Sequence, residues 1–386
     1  MTDRTGETLV ARASSLIPEL LAAAPEGERL RRLPDGAAEA VRAAGLARTL
    51  RPKPYGGYDL DYRTFAHIVR ELARGDASAG WCGATWLSQA MTVARYPKAA
   101  QDDVFGSHSE VFIISTGTMG GRLTPVEGGW LVSGRWGFAS GIHHARWVSA
   151  GALTPEGAGR GILLPVEQLE ILDVWDTVGL RGTGSTDYIA TDVFVPEHRS
   201  IDGAQWVWRG ATEPFVTGPL RNHGAGATQV SSSIFAPAAV GNAMAFLDAF
   251  AAGASSRTIT YARVKQSDHI GTQQRLAESA IETDVAGMLL ERCYDVLDVY
   301  EETGRIPTIE RSRMRRDTAF AVNVAYRAIN RIFEVSGAHA LSNSGELQRR
   351  WRDAHAIASQ PNFHFDFEAE TWGKLRMGLD HAHPSL

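Results

Sequence analysis

Cysteine is nearly missing from this chain, with two residues, Cys82 and Cys293, in 386. They lie far apart and without metal-ligand spacing, which excludes a disulfide framework and a zinc site and points to a reducing cytoplasm. A basic excess is missing too. A formal net charge of -5 and a pI near 6.2 leave no field for a phosphate backbone, so nucleic acid is not an expected partner. Long hydrophobic runs do not occur near the start: "MTDRTGETLVARASSLIPELLAAAPEGERL" sets acids among its apolar residues, unlike a signal peptide or a membrane span. No complete dinucleotide fingerprint is present. "RGTGSTD", Arg181 to Asp187, has G-x-G without a third glycine and precedes a strand where a fingerprint follows one, so it reads as a turn, and "HGAGATQ" fails in the same way. The histidines of "NFHFDFE" and of the terminal "HAHPSL" match no metal spacing, and a chain end is commonly mobile. Neither a Ser-His-Asp set nor a carboxylate pair stands out.

What is there is a soluble composition, 44% hydrophobic and 22% charged, long enough for two or three layers around a large core. From Leu9 to Phe105 apolar residues recur at three- and four-residue spacings, as in "YRTFAHIVRELARGD", which predicts helices. From about Glu110 the period falls to two. "EVFIIS", "GWLVSGRWGFAS", "ARWVSAGAL", "RGILLPV" and "DYIATDVFVP" read as short strands separated by turn signals. A connector without clear period, containing "GPLRNHGAGATQVSSS", follows, and after Ala236 long amphipathic helices return and predict a bundle. The expected organisation is a helical domain over 1–108, a β-barrel or sandwich over 109–200, a connector loop over 201–233 and a helical bundle over 234–386. The segment "GRWGFASGIHHARWVSAGA" crowds two tryptophans, a Ser-Gly pair and two histidines into strand and turn. Adjacent residues of a strand face opposite sides, so at most one of His143 and His144 is expected to face a site.

This order of blocks, together with "SAGWCGATWLSQA" on a helix, "GGWLVSGRWGFASGIHHARWV", "DVWDTVGLRGTGSTDYIATDVFVPEHR" and "FEVSGAHALSNSGELQRRWRDAHA", resembles the acyl-CoA dehydrogenase superfamily over nearly the whole chain. Within it the match is to the oxygenase components of the two-component flavin-dependent monooxygenases. The resemblance implies an α+β fold of N-terminal helices, a central β domain and a C-terminal four-helix bundle. It also implies reduced flavin, FMNH2 or FADH2, and dioxygen as cofactors, a separate NAD(P)H-dependent flavin reductase, a small aromatic substrate and a homotetramer in the cytoplasm.

Residue by residue, W-x-F-x-S-G falls on Trp136, Phe138, Ser140 and Gly141, a segment that in the family runs beside the isoalloxazine ring with the serine near its reactive edge. Ser115 and Thr116 stand where the family places a strand end against flavin and substrate, and Arg257 matches an arginine that reaches a neighbouring subunit's flavin. A substrate wall of Trp81, Trp86 and Phe363 is expected. Each has a bland reading as a packed ring, a turn serine or a surface arginine.

Two departures bear on the chemistry. True dehydrogenases of this superfamily need a carboxylate base and carry a Gly-Gly-x-Gly-Tyr segment, where this chain has "VSGAHAL" and no glutamate placed as that base. The monooxygenases often carry a histidine eight residues after the arginine of the R-D motif. From Arg352 that position is Gln360, with His364 one turn further if the helix continues past Pro361. A helix position that is histidine in some relatives is Gln89 here. The implied function is hydroxylation of a phenolic or indole-like ring through a flavin C4a-hydroperoxide, with Ser140 as hydrogen-bond donor and His364, Gln360 or Gln89 at the substrate. The alternatives are a dehydrogenase or oxidase, an N- or S-oxygenase, and an idle structural homologue.

Overall fold

The computed structural model describes residues 4–106, 110–203, 206, 233–260, 262–299, 306–384 and 386. Helices α1 (Arg4–Ser15), α2 (Ile17–Leu30), α3 (Asp35–Ala43), α4 (Tyr62–Gly75), α5 (Ala77–Val93) and α6 (Lys98–Phe105) form the first block. Asp61 starts α4 by accepting from Thr64 N. The break between α4 and α5 falls at Asp76, which is extended and caps α5 by accepting from Ala79 N at 3.2 Å. Most of α5 is buried, including its polar residues, as expected of a helix enclosed on all sides.

Seven strands follow: β1 (Ile113–Val126), β2 (Gly129–Ala139), β3 (Trp147–Leu153), β4 (Gly159–Pro165), β5 (Glu170–Ile171), β6 (Thr186–Pro196) and β7 (Ser200–Asp202). Their hydrogen bonds join them in one seven-stranded sheet, in the order β5-β6-β2-β1-β3-β4-β7, rather than in a closed barrel or two sheets. The β1–β3 pair is parallel and its register slips between Thr116 and Gly121. β1 is longer than the apolar run "EVFIIS" suggests, because Gly120 and Gly121 keep it against β2 and give no side-chain alternation to read. His143 and His144 are not on a strand. They lie in a 3-10 turn, Ile142–His144, where the His144 Nε2–H donates to Leu33 O at 2.9 Å and burial pushes the imidazole below its ordinary pKa. Most of the anticipated 201–233 connector, residues 204–205 and 207–232, lies outside the described residues; Ile201 and Asp202 belong to β7.

The last block holds α7 (Ala236–Ala254), a small hairpin of β8 (Thr258–Ile259) and β9 (Val264–Lys265), then α8 (Ile270–Val299), α9 (Thr308–Phe333), α10 (Glu346–Ala358) and α11 (Phe365–Arg376). The helix α11, packed on α9, adds to the four anticipated. The chain end is held rather than loose: buried His383 lies 3.3 Å from Glu368, whose carboxylate takes a buried ion pair from Arg315 at 2.8 Å. Arg350 of α10 donates to Arg74 O and Gly75 O at the end of α4, fastening the bundle to the first block. Helices, sheet and helices follow one another as the resemblance implies. Among the described residues no helix is long and apolar enough to cross a membrane.

Candidate active site

The end of β2 turns sharply at Phe138 to Gly141. Phe138 has a φ of +59°, unusual for a residue with a bulky side chain, and its ring is 77% exposed with an edge contact to Trp175. Gly141 has a φ of +75°, and a Cβ there would stand 2.5 Å from the Trp86 indole nitrogen. Only glycine lets the turn close this far onto α5. Trp86 Nε1 donates to Gly141 O at 3.1 Å and Gly141 N donates to Thr183 O at 2.9 Å. The turn is thus clamped between α5 and the segment before β6.

Ser140 lies in this clamp, 6% exposed, amid a file of polar groups. Trp81 Nε1 donates to Ser140 Oγ at 3.1 Å; Ser140 Oγ lies 2.6 Å from Ser185 Oγ, and Ser185 Oγ 2.6 Å from Thr183 Oγ1. Thr183 Oγ1 then donates to Leu180 O at 2.8 Å. Trp81 stacks on Phe235 with ring centroids 4.0 Å apart. One turn along α5, Thr85 Oγ1 approaches Ser140 O at 3.4 Å. The helix face of Trp81 and Thr85 therefore meets the Phe138–Gly141 turn.

Gln89 follows on α5 and is 8% exposed. Ser88 Oγ donates to Thr85 O, so it can only accept from Gln89, and it does so from Nε2 at 3.3 Å. That fixes the amide and leaves Gln89 Oε1 buried without a partner.

Several expected site residues face elsewhere. Trp136 is 1% exposed: its indole lies against Gly120 and Gly121, stacks on Tyr188 at 5.1 Å and donates to Gly151 O at 2.9 Å. It supports the site from within the core rather than lining it. The Thr116 hydroxyl meets the Tyr188 phenol at 2.8 Å, also in the core, while its neighbour Ser115 is partly exposed on the other face of β1. Trp86 stacks on Phe112 at 4.2 Å, so beyond its clamp on Gly141 it packs the core. Phe363 is buried in the bundle, its carbonyl accepting from Asn323.

Gln360 and His364 are not joined by a continuing helix. α10 ends at Ala358, Pro361–Phe363 is a 3-10 turn, and α11 begins at Phe365. Pro361 lacks the N–H that a longer α10 would need, and Gln360 Oε1 instead caps the turn by accepting from Asn362 N at 2.7 Å. His364 stands exposed at the start of α11, so the one-turn reach from Gln360 does not exist in this fold. Arg257 lies after α7 with its guanidinium over Gly253, and its Nη1 is buried without a partner.

Thr183, Ser185 and Asp353 were not anticipated. Asp353 Oδ1 accepts from Leu180 N at 2.6 Å, and Arg352 pairs with Glu28 and donates to Val178 O. The R-D motif thus clamps the segment that carries the two hydroxyls. The sequence signal was the stretch "GLRGTGS", rejected as a dinucleotide fingerprint and read as a turn within one of the motifs that carry the resemblance: it is a turn, and the side chains of Thr183 and Ser185 lead from it to Ser140.

The family models for "Acyl-CoA dehydrogenase, N-terminal domain" and "Acyl-CoA dehydrogenase, C-terminal domain" match residues 7–105 and 233–364. The chain is 36% identical, over 89% of its length and 92% of the relative's, to the flavin-dependent monooxygenase oxygenase subunit HsaA of Rhodococcus jostii (strain RHA1). Its structure is similar to XiaF from Streptomyces sp. in complex with FADH2 and glycerol, with a TM-score of 0.92, 30% identity and complete coverage of both chains. It is also similar to 3-HSA hydroxylase from Rhodococcus sp. RHA1, with a TM-score of 0.89, 32% identity and 98% coverage of each. Matches in both helical blocks, together with 36% identity over 89% of the chain, place it in the acyl-CoA dehydrogenase family, among the flavin-dependent monooxygenase oxygenase subunits.

Proposed function

We propose that this protein is the oxygenase component of a two-component system that hydroxylates a small aromatic or heteroaromatic ring, using reduced flavin delivered by a separate reductase. The observation that carries the reading is the Phe138–Gly141 turn, where an exposed ring in a left-handed conformation adjoins a buried serine hydroxyl. The residues present fit a flavin. Phe138 offers an apolar face, the slipped β1–β3 register leaves open space at Gly117, and Arg257 holds an unpaired guanidinium nitrogen of the kind a phosphate satisfies. Reduced flavin, when bound, supplies the activation of dioxygen and the electrophilic oxygen.

The chain's own residues hold and shield that chemistry. Ser140 would give a hydrogen bond to the reactive edge of a bound flavin, while Trp81 Nε1 donates to the serine oxygen from behind. Trp81 and Phe235 exclude water on the α5 side. Gln89 Oε1 accepts from the substrate, which favours a ring bearing N–H or O–H, an indole or a phenol, over a thioether or thiophene, which has no donor for it. Gln89 is no base at neutral pH, so an intrinsically electron-rich ring fits best. A dehydrogenase needs a carboxylate base. Among the described residues the buried carboxylate of Glu368 is held by Arg315 and His383, that of Asp353 accepts from Leu180 N, and no carboxylate hydrogen-bonds to the side chains of Trp81, Ser140, Thr183 or Ser185. The oxygenase works as a homotetramer in the cytoplasm, where the buried thiols Cys82 and Cys293 stay reduced.

The test is anaerobic loading with reduced FMN or FAD, mixing with oxygen, and product analysis with an indole, a phenol and a thiophene. Ring-hydroxylated product from the indole or phenol is expected. Reduction of an acyl-CoA-loaded, flavin-bound protein without oxygen incorporation refutes the reading, and so does quantitative peroxide release with every substrate.

A further inference from the structure

The file of groups through Ser140 has donor-only and acceptor-only ends. An indole N–H can only donate and a carbonyl can only accept, so Trp81 donates to Ser140 and Thr183 donates to Leu180 O. Each hydroxyl carries one proton. With the Thr183 proton on Leu180 O, the 2.6 Å contact between Thr183 and Ser185 must be donated by Ser185. The 2.6 Å contact between Ser185 and Ser140 must then be donated by Ser140. The proton that the proposed function asks Ser140 to point at flavin is therefore directed inward, to Ser185.

The far end of the file shows how it is released. Leu180 O accepts not only from Thr183 Oγ1 but also from Thr183 N at 3.1 Å and from Trp175 Nε1 at 3.0 Å. Three donors crowd a carbonyl with two lone pairs, so withdrawing the Thr183 hydroxyl leaves Leu180 O satisfied. If Thr183 turns its proton to Ser185, Ser185 can turn its own to Ser140. Ser140, still accepting from Trp81, is then free to donate outward. No proton changes oxygen and no bond is made or broken; three hydroxyls rotate.

We infer that Thr183 and Ser185 are positioning residues that set the polarity of the Ser140 hydroxyl, holding its proton inward in the flavin-free protein and reversing when an acceptor occupies the Phe138 side. This rests on the reading that Ser140 donates to flavin. Reversal also makes Ser140 a better donor, because it then accepts two hydrogen bonds while giving one. Asp353 takes part at one remove by pinning Leu180 N, which keeps the carbonyl end of the file in place.

The experiment has two parts. In the flavin-free protein labelled at the indole nitrogen, the Trp81 N–H resonance, assigned with Trp81→Phe, should shift in Ser185→Ala and in Thr183→Val and stay near wild type in Ser185→Thr and Thr183→Ser. In the second part, affinity for reduced flavin is measured anaerobically, and peroxide released per flavin oxidised is measured with oxygen. Ser185→Ala should weaken flavin binding by about three- to tenfold and raise peroxide release, and the effect should vanish when Ser140→Ala is already present. A packing role would persist in the Ser140→Ala background. Full additivity of the two substitutions, or a Trp81 resonance indifferent to Ser185→Ala, overturns the inference while leaving the function of Ser140 standing. If Ser140→Ala alone changes neither flavin affinity nor peroxide release, both the inference and the reading of Ser140 fall. The isosteric Thr183→Val and its rescue by Thr183→Ser decide the matter should Ser185→Ala fold poorly.

Discussion

Leu180 N donates to Asp353 Oδ1 at 2.6 Å, joining the turn before β6 to the middle of α10 across 173 residues of sequence. Asp353 is buried, and burial together with the nearby carboxylate of Asp76 pushes it up to about 7 from an ordinary 3.8. Raised in the fold, it favours folding when protonated. Its contribution is full below about pH 4, declines as pH rises, and is lost above about pH 7. Asp353→Asn keeps the acceptor for Leu180 N and cannot ionise, so denaturation across this window should show a flatter decline than wild type. Asp353→Ala leaves the Leu180 N–H unpaired and should cost about 1–3 kcal/mol. An unchanged pH slope in Asp353→Asn would remove this carboxyl from the pH response.

Ser140→Ala removes the proposed donor at the end of β2. A hydrogen bond to a charged or charge-developing group is worth about 1.5–3 kcal/mol, so uncoupled peroxide release should rise about tenfold or more while the protein stays folded. Oxygen uptake and product measured together give the ratio directly. Coupling equal to wild type would contradict the role.

His364 is exposed beyond the 3-10 turn at Pro361, so His364→Ala should leave the dependence of product formation on pH unchanged. A flattened rate-versus-pH curve in the variant would restore it as a base. Gln360→Ala, by contrast, removes the cap on Asn362 N and should lower stability by about 0.5–2 kcal/mol.

Arg257→Ala should weaken reduced-flavin binding about tenfold or more, because its buried and unpaired Nη1 is the donor a phosphate would meet. Thermal melting without flavin should be nearly unaffected. Equal affinity in the variant and the wild type would take Arg257 out of the site.

Ile281, Val285 and Met288 lie exposed at i, i+4 and i+7 of α8, an apolar stripe that a single subunit leaves uncovered. A second copy covering it is what the proposed homotetramer requires. Light scattering should give a mass near four times 41.8 kDa, and Ile281→Glu with Met288→Glu should lower it. A monomeric wild type at micromolar concentration would defeat this prediction.

The order of blocks was legible because periodicity is local. Apolar spacing along α4, the change to a period of two after Glu110, and the return of helical spacing after Ala236 need only near neighbours to be read. The W-x-F-x-S-G turn and the helix of Trp81 and Gln89 were singled out by the family resemblance, since residue type and spacing alone read equally well as a packed ring, a turn serine or a core helix. Chain-local signals also located the break at Pro361, though not its consequence for His364.

Tertiary structure alone decided which polar groups meet. Ser140 and Ser185 lie 45 residues apart, and nothing near either marks the other as its partner. Trp136 and Phe138 share a motif, yet one packs beneath Gly120 and Gly121 while the other stands in the open, because the backbone reverses hand at Phe138. Hydrophobic periodicity is set by neighbours along the chain and survives translation into structure. The orientation of a hydroxyl is set by whichever donors and acceptors the fold brings within 3 Å, and for Ser140 those come from α5 and from the turn that Asp353 holds in place.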